Sequence, residues 1–494
     1  MSRVIFAVPP CPSSKGVAQA TQNRQYQYFK DATYIYPVIP AIFCSMLTSE
    51  VGVHVVWADC VAEESNENEF KDFLCKFLPD FVVFEANTML FKRYCSVIES
   101  IKEVCPNTKI ILCGEHITAF PEDKEKCKAD YFISGGKWYR EAYKIIKGHD
   151  WNEIPVPSPI AKIENGVVIP VDSEIKYQKV ENRPLPIIDR NVSNWWLYAE
   201  DNGNFKKTPA TYMMAAQDCW YRPKHKDGST ASCTFCTWVD YHPDNVIRPV
   251  EDYLAEVRHL IQFGFKEFFD DSGTFPVGTW LHQFCAEMIK RGFNKHIVWG
   301  CNMRFKALKP EEFQLMADAG CRFILWGFES ANQKTLDNLN KGYEVGIVSR
   351  NLIAARKAGI WNHLTVMTGY PWETLEDEYR TYEMVKWLLV NDWASSMQST
   401  IFMPYPGTQA FKKFKEEGLI LTEDWDKWDM TNEVVKLQYP FEEALKLQRK
   451  YYRISYHPRF LWNKVRDIKS GDDLRFYWRL IKKVFNRFGT VHEN

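Results

Sequence analysis

Short apolar runs, each followed by an amphipathic helical stretch, recur along this chain in two separate series, and this pattern limits its fold more than any other feature. The first series spans residues 1–150. Its strand-like runs are Val4–Val8, Val53–Trp57, Phe81–Phe84, Lys109–Gly114 and Tyr131–Gly136, and Pro40–Thr48 reads as a helix after the first. Such runs alternating with helices predict βαβ units and a Rossmann-like, doubly wound parallel sheet. Ligands of open parallel sheets sit outside the carboxyl ends of the strands. The candidate ligand loops therefore begin at Pro9, Asp59, Glu85, Gly114 and Gly135.

The second series spans residues 206–410. Six runs, near Tyr212–Ala216, Glu267–Phe269, Ile297–Trp299, Arg322–Trp326, His363–Met367 and Met397–Phe402, each end in polar residues and lead into a helix. Six strand–loop–helix units predict a partial (βα)6 TIM-type barrel whose site lies at the carboxyl strand ends. Residues 151–205 are rich in Pro and Asn and read as a linker with a small hairpin at Asn165-Gly166. Residues 411–494 read as a helical, aromatic and basic C-terminal region.

Composition removes several classes. Lys plus Arg number 62 and Asp plus Glu 63, so no global field draws the chain to nucleic acid. Fourteen irregularly spaced cysteines in 494 residues do not form a disulfide framework. The first residues, MSRVIFAVPPCPSS, lack the long apolar core of a signal peptide, and no run of 18 apolar residues predicts a spanning helix. A reducing cytoplasm is the expected location.

Chemistry concentrates in QDCWYRPKHKDGSTASCTFC, which carries Cys219, Cys233 and Cys236. A Cys-x-x-Cys pair alone serves zinc, redox and cluster sites alike. His225 or His242 would complete a Cys3His zinc site, which describes a non-catalytic metal-binding protein. Three thiolates can instead hold a 4Fe-4S cube by three corners and leave one iron open for a small molecule.

The cysteine loop and the motifs after it resemble the radical S-adenosylmethionine (radical SAM) enzymes. That family has Cys-x3-Cys-x2-Cys with an aromatic before the last cysteine, the place Phe235 fills. The strand ends DDSGTFP, WGCNMRF, WGFESANQKTLDNLNKG, MTGYPWET and MPYPGT follow in the family's order. One departure stands out: thirteen residues separate Cys219 from Cys233, where three are usual. Loop closure grows slowly with length, so roughly two doublings cost about 1.2 kcal/mol. The resemblance implies that SAM chelates the open iron and is cleaved to a 5′-deoxyadenosyl radical, with a flavodoxin or ferredoxin as electron donor. It also implies that Phe235 touches the adenine, that Asp271, Arg304 and Glu329 make polar contacts to SAM, and that Gly369 and Glu373 belong to the strand-five motif. The plainer readings are a helix cap for Glu329 and an ion-pair role for Arg304.

The first series resembles the cobalamin-binding domain often fused ahead of such barrels, through PVIPAIFCSMLTSEVGVHVVWADC, PDFVVFEANT, CPNTKIILCGEHITAFPED and DYFISGG. Asp-x-His-x-x-Gly is missing after Asp59, so an axial histidine is not expected there. The resemblance implies cobalamin contacts at Asn87, Thr88, Gly114, Glu115, His116, Gly135 and Gly136. The whole implies a cobalamin-dependent methyltransferase acting on an unactivated carbon or phosphorus of a small-molecule or lipid-like biosynthetic intermediate. Ring closure or rearrangement without methyl transfer is the alternative. In the last helix Leu474, Tyr477, Trp478, Ile481, Phe485 and Phe488 share one face, with Arg475, Arg479, Lys482, Lys483 and Arg487 largely on the other. Such a helix packs on its own domain or lies peripherally on a membrane.

Overall fold

The computed structural model describes residues 1–20, 28–29, 34–155, 162–164, 167–169, 177–180, 183–200, 204–223, 232–242 and 246–489. Side chains beyond 480 lie outside this description, as does His225.

The first sheet is parallel, with β1 (Ser2–Val8), β2 (Val53–Asp59), β3 (Phe81–Glu85), β4 (Lys109–Cys113) and β5 (Tyr131–Ile133) in the order β2-β1-β3-β4-β5. Helices α1 (Val38–Thr48), α2 (Glu67–Phe77), α3 (Phe91–Val104), α4 (Glu115–Ala119) and α5 (Trp138–Lys147) connect and cover it. The strand order reverses between β1 and β3, which opens a crevice at their carboxyl ends. Local chemistry sets the helix starts: the Asn66 side chain accepts from the Asn68 and Glu69 amides while Glu69 reaches back to Asn66 N–H.

The second sheet has six parallel strands in chain order: β6 (Ala210–Met213), β7 (Glu267–Asp270), β8 (Val298–Met303), β9 (Cys321–Glu329), β10 (Trp361–Thr368) and β11 (Ser396–Ile401). Its end strands, β6 and β11, do not pair among the described residues, so the barrel is partial, as the sequence pattern predicts. Helix α6 (Trp238–Tyr241) follows the cysteine loop. Helices α7 (Val250–Phe263), α8 (Thr279–Lys290), α9 (Pro310–Asp318), α10 (Gln333–Asn338), α11 (Gly346–Lys357) and α12 (Leu375–Val390) carry the chain from strand to strand. After β11 come α13 (Gln409–Glu416), α14 (Phe441–Arg453), α15 (Pro458–Arg466) and α16 (Gly471–Gly489).

Two boundaries differ from the sequence reading. β6 stops at Met213 because the next amides turn to side chains: Ala215 N–H donates to Asp270 Oδ2 (2.6 Å) and Ala216 N–H to Ser272 Oγ (2.8 Å). Beyond Arg183 the stretch read as a linker is packed between the sheets. Ile188, Tyr198 and Phe205 are buried, and buried Arg190 pairs with Glu256 at 3.2 Å and donates to the Tyr212 carbonyl at 3.0 Å. The hairpin is present as Lys162–Glu164 paired with Val167–Ile169, its turn lying outside the described residues.

The two sheets share apolar cores. Phe6, Trp57 and Trp138 belong to one buried cluster with Tyr212, Phe269 and Phe323. The carboxyl edge of the first sheet thereby meets the mouth of the barrel.

Candidate radical SAM active site

All six barrel strands send residues into one cavity of about 450 Å³ at their carboxyl ends. Cys219, Cys233 and Cys236 line it together with Phe235, Asp271, Arg304 and Glu329. The thiols come from two anchored segments. Cys219 bridges in parallel to Thr274, and its thiol donates to Thr274 Oγ1 at 3.3 Å. Trp220 Nε1–H then donates to the Phe275 carbonyl (2.9 Å), and Tyr221 O–H to the Asn340 carbonyl (3.1 Å). The second segment is pinned by Asn340 Nδ2–H on the Ser232 carbonyl (2.9 Å) and by Thr234 N–H on the Leu339 carbonyl (3.1 Å). Both ends of the long gap are therefore fixed to the turn after α10, and residues 224–231 between them lie outside the described residues. A Cβ on Gly273 would stand 2.6 Å from Cys219 Cβ and 2.7 Å from Trp238 Cδ1, so the bare glycine is what lets the strand-end loop touch the cysteine.

Among the described residues no three His, Cys, Asp or Glu side chains converge closely enough to hold a single metal ion. His242 is turned away, its ring against Trp238 (4.3 Å between centroids) and over Gly136. Three thiols lining one cavity can hold three corners of an iron–sulfur group.

The charged wall has a pattern of its own. Glu329 sits with φ 65°, left-handed for a non-glycine residue, at a break in register between β9 and β10. Such strain persists where surrounding contacts hold it. Here they are Lys341 Nζ at 3.0 Å and the Thr365 hydroxyl at 3.4 Å. Arg304 lies flat on the Tyr221 ring, 3.6 Å from its centroid, and donates to the Lys341 carbonyl. Thus Glu329 is paired rather than capping α10, and Arg304 is stacked. Burial pushes the Cys233 thiol above its ordinary range, while the Lys341 and Arg304 charges pull it back toward the thiolate. Asn302 Nδ2–H holds Asp271 Oδ1 at 3.2 Å.

Lys341 is a wall residue that the sequence reading did not single out, although the stretch NLNKG contains it. A lysine before a glycine reads as an ordinary helix end. Only the return of this turn to the barrel mouth buries its amine beside Phe235, at 5.8 Å from the ring.

Gly369 and Glu373 are not among the cavity walls. Glu373 is buried behind them, accepting from Ser330 Oγ (3.0 Å), Asn332 Nδ2 (3.0 Å) and the Thr335 hydroxyl, and so ties the ends of β9 and β10 together. Gly369 N–H donates to Glu378 Oε1 at 2.7 Å. Burial and the nearby Glu373 push Glu378 up to about 8.

The edge of the first sheet closes over α6. Glu85 Oε1 accepts from Trp138 Nε1 (2.8 Å) and Tyr241 O–H (3.1 Å), and burial raises its carboxyl to about 7. Thr237 Oγ1 donates to Glu115 Oε1 (3.1 Å), and Gly136 N–H to the Tyr241 carbonyl (2.6 Å). Just ahead of α3, Asn87 Oδ1 accepts from Leu90 N–H at 3.0 Å, and Thr88 is buried. At Gly114 a Cβ would meet Ala86 O at 2.4 Å, so the loops after β3 and β4 run backbone against backbone. A Cβ at Gly135, by contrast, would stand in open space. His116 is carried into the core, stacked on Phe91 at 3.8 Å and donating from Nε2 to Asp123 at 3.2 Å. The structure thus does not bring His116 to the crevice. What remains there is a cleft of about 40 Å³ among Ala20, Ile39, Glu85, Ala86, Asn87, Glu115, Trp238 and Tyr241.

Comparison with known proteins agrees with this geometry. A family model described as the radical SAM superfamily matches residues 224–385, a stretch that begins inside the long gap and includes Cys233 and Cys236. An uncharacterized methyltransferase of Pyrococcus horikoshii is 25% identical over 439 residues, covering 86% of this chain and 88% of the relative. The anaerobic magnesium-protoporphyrin IX monomethyl ester cyclase of Rubrivivax gelatinosus is 21% identical over 456 residues, covering 86% and 77%. Among solved structures, the radical S-adenosylmethionine methyltransferase TsrM from Kitasatospora setae, with cobalamin and a 4Fe-4S cluster bound, superposes with a TM-score of 0.59 at 16% identity, over 85% of this chain and 76% of that one. With three thiols at the mouth of a six-stranded partial barrel and the matched stretch running through it, the chain carries a radical SAM domain.

Proposed function

We propose that the chain is a radical SAM methyltransferase of the cobalamin-dependent kind, acting on an unactivated carbon or phosphorus of a small biosynthetic molecule. The observation that carries the reading is the meeting of two ligand-bearing edges. Three thiols at the barrel mouth face the carboxyl edge of a sheet whose strand order opens a crevice toward them.

The walls fit the cluster and SAM. Cys219, Cys233 and Cys236 would hold the cluster by three of its corners. Lys341 and Arg304 supply positive charge for a carboxylate, and Glu329 and Asp271 supply negative charge and acceptors for an ammonium and a ribose. Phe235 offers an apolar face beside them. When bound and reduced by a small electron carrier such as a flavodoxin or ferredoxin, the cluster supplies cleavage of SAM to a 5′-deoxyadenosyl radical. The chain's own part is to position, shield and exclude water. Met303, Met367, Met397, Met403 and Met430 line the same cavity, an adaptable apolar wall suited to a substrate with a bulky apolar body.

Within the first sheet the crevice is a cleft of about 40 Å³ lined by Trp238 and Tyr241. The larger room is the barrel-mouth cavity, which Gln19, Phe29 and Ile35 of the N-terminal half also line, and there the chain would hold cobalamin. The likeness to the anaerobic magnesium-protoporphyrin IX monomethyl ester cyclase supports a second reading, radical ring closure or rearrangement without methyl transfer.

Anaerobic reconstitution tests both. About four irons per chain with broad absorbance near ~400 nm is the expected result, and alanine at Cys219, Cys233 or Cys236 should each abolish it. Stoichiometric zinc without sulfide would remove the radical reading altogether. Hydroxocobalamin that co-elutes with the chain on gel filtration supports methyl transfer, whereas loaded cluster without retained corrin moves the assignment to the second reading.

A further inference from the structure

The barrel floor lies at the opposite end of the strands from the cavity. Helices α15 and α16 are seated there around Trp361, the first residue of β10. Lys464 Nζ lies 5.6 Å from the Trp361 ring, Phe476 5.8 Å and Tyr477 6.3 Å. Asn463 Nδ2–H donates to the Val390 carbonyl at the end of α12 (3.1 Å), and Asp467 pairs with Arg356 at the end of α11 (2.7 Å). Buried Asp473 pairs with Lys206, which precedes β6. With these inner faces fixed, large apolar side chains stand exposed on the outer faces among the described residues: Trp462 is 62% exposed, Val465 58%, Leu474 60% and Trp478 68%.

Beside them is a ring of cations. Lys207, Lys266, Lys295 and Arg475 line a cavity of about 370 Å³ with His296, Thr208 and Asp472, and Arg475 donates to Asp472 Oδ1 at 2.5 Å. Lys207 precedes β6, Lys266 precedes β7, Lys295 and His296 precede β8, and Arg475 is on α16, three residues from Trp478. In a chain of net charge −1 this concentration belongs to one face and not to the whole.

We propose that this floor docks the enzyme on an anionic lipid surface. Exposed tryptophans with flanking cations match an interface in which headgroup phosphates lie above an apolar layer. A second copy of the chain is the poorer occupant, because a two-fold interface would set this cation ring near its own duplicate. Since the cavity opens at the other end of the strands, docking places the enzyme at the surface and leaves the substrate entrance facing away from it. The role is therefore location, and the inference stands whether the enzyme transfers methyl groups or closes rings.

Co-sedimentation of the full-length chain with vesicles tests it. Binding is expected to phosphatidylcholine vesicles containing phosphatidylglycerol and not to phosphatidylcholine alone, and it should weaken with salt. Lys266→Gln and Lys295→Gln should each lower binding about fivefold. Trp462→Ser with Trp478→Ser should abolish it while cluster loading stays unchanged. Equal binding to both vesicle types would overturn the proposal, as would unaltered binding by the variants. A solution dimer that Trp478→Ser dissociates, with no vesicle binding, would assign the face to a second copy instead.

Discussion

At single residues, the cavity depends on contacts that leave no room for substitution. Gly273→Ala should push Cys219 and Trp238 apart, because the added Cβ would meet both inside 3 Å. Overpacking of this kind costs about 1–3 kcal/mol. The variant is expected to keep its fold by circular dichroism, melt at a lower temperature and lose cluster absorbance. Lys341 answers to a different force. Lys341→Met would leave the Glu329 carboxylate buried without its cation, at a cost of about 3–5 kcal/mol. Adding Glu329→Gln to that variant should restore most of the stability in urea unfolding. SAM binding measured by equilibrium dialysis should stay weak in both. The cysteines stood out in the sequence by themselves and the family resemblance pointed to Phe235, Asp271, Arg304 and Glu329; the structure brings all of them to one cavity. Lys341 was not legible in the sequence, because its burial depends on where the turn after α10 returns. Glu373 carries a motif's position in the sequence, but in the structure it ties two strand ends together.

The element scale explains how these residues meet. Loops at the carboxyl ends of parallel strands converge because the strands share a direction, and hydrogen bonds between loops then fix their spacing. The clearest case is the pair of loops after β3 and β4. Gly114, at φ 117°, lies directly on the Ala86 backbone. Gly114→Ala should separate these loops, since neither backbone can yield without breaking the Ala86 N–H bond to the Cys113 carbonyl (2.8 Å). Faster amide exchange is expected at Ala86 and His116, with the barrel amides unchanged. Helix α16 shows what periodicity leaves open. The sequence puts Leu474, Tyr477 and Trp478 on one stripe, yet the structure turns Tyr477 toward Trp361 and Leu474 and Trp478 outward. A stripe wider than its seat is divided by whatever it packs on.

For the molecule as a whole, burial makes stability depend on pH. Burial lowers both His116 and His363 from 6.5 to about 4, the Asp123 charge partly opposing it at His116. The unfolded chain therefore takes up two protons at these histidines that the native state refuses as pH falls from 6.5 toward 4, which lowers stability, while Glu85 and Glu378, raised to about 7 and about 8, take up theirs first in the native state and oppose that loss. Each histidine contributes about 3 kcal/mol to that loss. Between neutral and mildly acidic buffer, His116→Phe with His363→Gln should shift the change in urea midpoint upward relative to the parent chain, and an identical pH response in both would remove the histidine contribution. The sequence by itself determined two parallel βα layers, the order of their strands along the chain, and the cysteine loop at a strand end. These follow from hydrophobic periodicity and turn residues, which act over a few residues at a time. Only the tertiary structure decided that the two sheets share cores, that His116 belongs to one of them, that α6 shuts the sheet crevice, and that the last helices leave apolar faces at the barrel floor. Those outcomes depend on which distant surfaces exclude water from each other, and no local pattern in the chain specifies that.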